Sequence, residues 1–129
     1  MSYYFAKTLP DGSFDDAIAR VTQALQHEGF GILTEIDVRA TMRKKLDRDF
    51  RDYRILGACN PSMAWQALQA EERIGTMLPC NVIIQRREGG AIEVAAVDPV
   101  ASMQAVDNPA LAGVAATVRD SLRRVIDAL

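Results

Sequence analysis

The stretch from Tyr53 to Val82 constrains this chain most. An apolar run of β character, Tyr53-Arg-Ile-Leu-Gly-Ala-Cys59, passes without a linker into Asn60-Pro61, an N-cap followed by the one helical position that suits proline. A helix must start where that strand stops. Met63, Ala67, Ala70 and Ile74 share one face of the predicted helix, Ala64, Trp65 and Leu68 widen it, and Gly75 supplies a left-handed stop. Leu78-Pro79 then leads into Cys80-Asn81 and another β-rich run. Both cysteines of the protein lie in this stretch, each followed by asparagine, so two Cys-Asn elements bracket one helix.

The flanking sequence adds alternating periods. Tyr3 to Leu9 reads as a strand, turned by Pro10-Asp11-Gly12. Ser13 is an N-cap for a helix whose apolar stripe is Phe14, Ala17, Ile18, Val21 and Leu25, and which Gly29 stops. His27, the one histidine, sits in its last turn as a charge partner for the helix C-terminus rather than a ligand or base. Phe30 to Val38 alternates, with Phe30, Ile32, Thr34, Ile36 and Val38 on one face. Met42, Leu46 and Phe50 recur every four residues and predict a short charged helix covering part of the core. Asn81 to Arg87 and Ile92 to Val97 form a hairpin around Glu88-Gly89-Gly90-Ala91, and Asp98-Pro99 breaks the sheet. Asn108-Pro109 repeats the cap device before a last helix striped by Leu111, Val114, Ala115, Val118, Leu122, Val125, Ile126 and Leu129. The order is β-α-β-α-β-α-β-β-α: an α+β fold, with a mixed, mainly antiparallel sheet of about five strands carrying helices, as a single domain over residues 1–129.

Composition excludes several classes. At 129 residues one core suffices, and 49% apolar with 25% charged residues is the globular balance, not that of a disordered chain. The first residues show no basic leader or cleavage site, and no apolar run approaches a membrane span, so a cytoplasmic protein with reduced thiols is expected. Seven basic residues fall between Arg39 and Arg54, but Asp47, Asp49 and Asp52 interleave with them. That pattern suits a solvated helix face better than a nucleic-acid footprint, and the net charge of −2 agrees. Trp65 is expected to pack in the core or an interface rather than act as a stacking platform.

The Cys-Asn pair carries the chemistry. Cys59 precedes a helix N-terminus, where backbone N–H groups and the helix dipole favour a thiolate. If the third and fourth strands are antiparallel neighbours, Cys80 approaches Cys59 at one sheet edge. The thiols can then serve as nucleophile and resolving thiol, cycle through a disulfide or carry sulfur, with Asn60 and Asn81 donating to a polar ligand. Packing is an equally simple account: free cysteine is among the most buried residue types, and Asn60 already has a role as a cap. Glu71 and Glu72, about three turns into the helix, are solvent-facing residues first and a candidate general base second. Two cysteines and a distant histidine are too few for a zinc site, and no phosphate or dinucleotide fingerprint implies a cofactor.

Phe30-Gly-Ile-Leu-Thr-Glu-Ile-Asp-Val38, Tyr53-Arg-Ile-Leu-Gly-Ala-Cys-Asn-Pro61, Ala67-Leu-Gln-Ala-Glu71, Ile74-Gly75 and Leu78-Pro-Cys-Asn-Val82 resemble the domain-of-unknown-function family numbered 302, over nearly the whole chain. The resemblance implies a compact domain similar to a single TATA-binding-protein-like unit, β-α-β4-α with extra helices, and a homodimer. Glu72 and Asp52 replace prolines frequent in that pattern, and Thr76-Met77 a leucine-rich pair, while both Cys-Asn elements are intact. The leading expectation is a non-catalytic homodimeric module binding a small polar or thiol-reactive ligand at Cys59, Asn60, Cys80 and Asn81, joined through the apolar sheet face or the Trp65 side. The alternatives are a thiol-dependent enzyme or sulfur- or peroxide-handling carrier, with Cys59 as nucleophile, Cys80 resolving and Glu71 assisting, and a structural interaction domain with inert cysteines.

Overall fold

The computed structural model describes residues 2–129. Strands β1 (Tyr4–Leu9), β2 (Gly31–Asp37), β3 (Tyr53–Cys59), β4 (Cys80–Arg86) and β5 (Ile92–Val97) form one sheet in the order β1-β5-β4-β3-β2. Every neighbouring pair is antiparallel. Helices α1 (Phe14–His27) and α5 (Ala112–Asp127) bring the apolar stripes read from the sequence onto one face of this sheet. Val21, Leu25, Leu122 and Val125 are buried there against Leu56, Val82, Ile84 and Val94, because alternate strand residues point to that side. Among the described residues, no helix is long and apolar enough to cross a membrane.

Local signals act as the sequence implies. The Ser13 side chain accepts from the Asp16 N–H at 3.2 Å, and Gly29 takes φ +86 to end α1. Asn108 caps the turn Pro109–Leu111 that opens α5, accepting from Ala110 N–H at 3.0 Å. Asp98-Pro99 does more than break the sheet: it caps and starts a four-residue helix, α4 (Pro99–Ser102). Arg86 ties distant turns together, donating to Asp11 and the Gly12 and Gly90 carbonyls as well as to Asp52.

Four expectations change. The alternation in β2 is broken by a bulge: Ile32 pairs with Ala58 and Thr34 with Gly57, leaving Leu33 unmatched. Ile32 therefore packs on the core side while Ile36, opposite Ile55, lies on the other face. Helix α2 (Val38–Leu46) has no buried residue; Asp47 ends it in the left-handed region at φ 52, and Leu46 is exposed rather than core. Helix α3 spans Pro61–Ala70 and stops before Ile74, so Glu71 and Glu72 lie beyond its end rather than inside it. The Asn108 side chain takes the Ala70 carbonyl at 2.8 Å, Glu71 is extended, and Ile74 starts a separate 3-10 turn that buries its side chain against Ala67 and Leu111. Trp65 packs in no core: it is 67% exposed.

Candidate functional site

The two Cys-Asn elements meet at one end of the sheet. Ala58 is the cross-strand partner of Cys80 and Gly57 of Asn81, which puts Cys59 and Cys80 on adjacent strands one residue out of register. Strand spacing and rise then set their Cα atoms about 6 Å apart. Gly57 has a steric reason: a Cβ there would lie 2.1 Å from Thr34 Oγ1 and 2.7 Å from Pro79 Cγ. Pro79 of one element thus crosses directly over the glycine of the other, and that contact seats Cys80 beside the end of β3.

Beneath this junction lies a cavity of about 360 Å³. The strand ends contribute Ala58, Cys59 and Cys80, and α3 contributes Met63, Ala64, Ala67 and Leu68. Pro99 and Met103 close it from the α4 segment, and Val114, Ala115 and Val118 of α5 form its far wall. Every side chain lining it is aliphatic, thioether or thiol. Burial pushes the Cys80 thiol up to about 11, and the neighbouring Cys59 adds to the effect. Cys80 is 8% exposed, whereas Cys59 is half-buried.

The asparagines go elsewhere. Asn60 Oδ1 accepts from the Met63 N–H at 3.3 Å and so caps α3, as its place in the sequence implies. Asn81 is exposed and lines a separate depression on the opposite sheet face with Tyr53, Ile83, Gln85 and Glu93. Glu71 accepts from Asn108 Nδ2 at 3.4 Å and is not among the cavity residues. Residues the sequence reading missed are Leu33, Met103 and Pro99. Leu33 sits at the bulge and the other two arrive from a segment 40 or more positions from Cys59, so no local pattern marks them.

Three of the seven basic residues between Arg39 and Arg54 form ion pairs within the fold. Arg39 pairs with Asp52 at 2.8 Å, Arg54 with Glu35 at 2.7 Å and Asp37 at 3.4 Å, and Arg43 with Asp47 and Asp49 at 3.5 Å. Arg39, helped by Arg86, holds the Asp52 carboxyl below the usual carboxylate value. Arg51 lies 4.4 Å from the Phe50 ring centre and donates to Gln85.

The whole architecture has a solved counterpart. A crystal structure of an uncharacterized conserved protein DUF302 from Bacillus stearothermophilus is 25% identical, covers 98% of each chain and superposes with a TM-score of 0.89. No curated protein is significantly similar to the sequence. With the model of the domain of unknown function DUF302 matching residues 5–129, the chain belongs to that family.

Proposed function

We propose that this protein is a non-catalytic binding module whose cavity at Cys59 and Cys80 takes a small apolar or thiol-reactive ligand. The observation that carries this reading is the cavity wall, which offers two thiols and otherwise only aliphatic and thioether groups. A small polar ligand would leave water without a replacement hydrogen bond, at a cost of about 1–3 kcal/mol per group. Two features weigh against the thiol-enzyme alternative. With a pKa of about 11, Cys80 holds only about one part in ten thousand as thiolate at neutral pH. Glu71, the candidate base, is turned to Asn108. The test is binding of naphthalene, followed by calorimetry and by the rise in unfolding temperature. Ala64→Phe, which fills the cavity from a half-buried position, should abolish it; equal binding by both proteins, or no binding by the wild type of either naphthalene or an n-alkyl probe, would refute the reading.

We also propose that the open sheet face joins two copies of the chain. One register row crosses all five strands there as Ala6, Ala95, Ile83, Ile55 and Ile36, without a charge. Five strands about 4.8 Å apart and some six residues long give a footprint on the order of 500 Å², whose corrugated area approaches the ~800 Å² per partner of a standard interface. Ile83→Arg should convert a dimer to a monomer in sedimentation velocity. A wild type that is monomeric at 100-fold dilution and at high concentration alike would end this proposal.

A further inference from the structure

We infer that the ligand of the cavity is a single-chain amphiphile, inserted tail first, with its polar end left in water at a lip formed by Leu33, Leu68 and Gly75. The inference rests on the reading above that the cavity is a ligand site, and it specifies the class of ligand.

The first support is the contrast between the two ends of the cavity. Its deep end is closed by Ala58, Pro99, Leu111, Ala115 and Val118, all buried. At the other end Leu33 and Leu68 line the same space yet remain 66% and 43% exposed, and Gly75 beside them is exposed. The cavity therefore reaches solvent between these residues. Leu33 is there because it is the unmatched residue of the β2 bulge, and a bulge re-aims a side chain that strict alternation would place elsewhere. Trp65 lies one helical turn before Leu68, on the same side of α3, and is also exposed, so the lip extends into an apolar surface strip.

The second support is chemical. The walls carry no side chain able to hold a charged or strongly polar group, so any such part of a ligand must stay outside. A compact apolar molecule would leave the Leu33, Leu68 and Trp65 strip wet, whereas a chain that emerges there covers the strip as well. About 360 Å³ corresponds to roughly a dozen water-sized groups, which suits a tail of about eight to twelve carbons. Glu72 and Arg73, in the segment leading to Gly75, pair with each other at 3.5 Å and are both largely exposed, so together they favour neither sign of head group.

The experiment titrates the reduced protein with n-alkyl carboxylates, alcohols and trimethylammonium salts of six to sixteen carbons, below their micelle concentrations. Trp65 emission and calorimetry report binding, and protection of Cys59 from a hydrophilic maleimide reports occupancy of the cavity. Affinity should rise about fourfold per methylene, level off near ten to twelve carbons, and depend little on the head. Leu33→Asp, at an exposed position that leaves the core intact, should weaken the longer chains about tenfold. If naphthalene binds and Ala64→Phe blocks it, but affinity is flat with chain length or requires one head group, the amphiphile inference is overturned and the site stands. If neither naphthalene nor any chain binds, the site reading fails and takes the inference with it.

Discussion

Cys59-Asn60 and Cys80-Asn81 are the same dipeptide in two opposite settings. In the first, a strand ends at the cysteine, and the asparagine turns its side chain onto the backbone of the helix that follows. In the second, a strand begins at the cysteine, and alternation sends the asparagine to the far face of the sheet. Chain direction alone decides that one amide is structural and the other free. The thiols differ in parallel: Cys80, covered from several sides, titrates high, while Cys59 sits half-buried at the rim of the junction. Similar local sequence thus does not mean similar chemistry; the neighbours that cover each residue set it.

The contact between the two elements is the most fragile part of this arrangement. Gly57→Val should destabilise the protein by about 3 kcal/mol, since any Cβ meets Thr34 and Pro79. Urea unfolding measures it, and a change below about 0.5 kcal/mol would show that Pro79 does not press on β3. The next effect is a pH dependence. The folded chain holds the Cys80 proton more tightly than the unfolded one, so the contribution of this group is intact below pH 9 and is lost as pH rises from about 9 to about 11. The stability of the wild type relative to Cys80→Val should fall by roughly 2–3 kcal/mol over that window. A constant difference would place Cys80 in water. Asn60→Ala should cost about 1 kcal/mol through the lost cap, with α3 amides exchanging faster. Asn81→Ala should be smallest, within about 0.5 kcal/mol for the monomer; a larger loss would mean that the open face is already covered in solution, which sharpens the case for a second copy on it.

The parts of the fold legible in the sequence are those that short-range physics decides. Asn60-Pro61, Ser13, Gly29 and Asn108-Pro109 each satisfy or terminate a helix within four residues, so their roles follow from residue type. The hairpin around Gly89 and Gly90, both at positive φ, is equally local. Three of the four misreadings lie where packing or pairing with another residue overrides the local pattern. Met63 to Ile74 has helical spacing throughout, yet Asn108 captures the Ala70 carbonyl and ends the helix early. Phe30 to Val38 alternates except for Leu33 on its polar face and Thr34 on its apolar one, and it is there that the register with β3 skips Leu33. Trp65 has the size of a core residue, but the core surface of α3 is already taken by Ala67 and the small residues around it.

The candidate site divides in the same way. Its two thiols could be named from sequence only on the condition that the strands flanking the helix are antiparallel neighbours, and the pairing of β3 with β4 meets that condition. The lining of the site could not, because α4 and α5 reach it only after the chain has folded back on itself. Sequence alone therefore determined the order of the five strands and the four longer helices, the caps Ser13, Asn60 and Asn108, and the apolar stripes of α1 and α5, since hydrogen-bond satisfaction and periodicity act over a few residues. Tertiary structure alone decided that Cys80 is a buried neutral thiol, that Asn81 faces away from it, and that Leu33 stands at the mouth of a cavity. Burial, register and enclosure are properties of surfaces brought together from distant positions, and no short window of residues contains them.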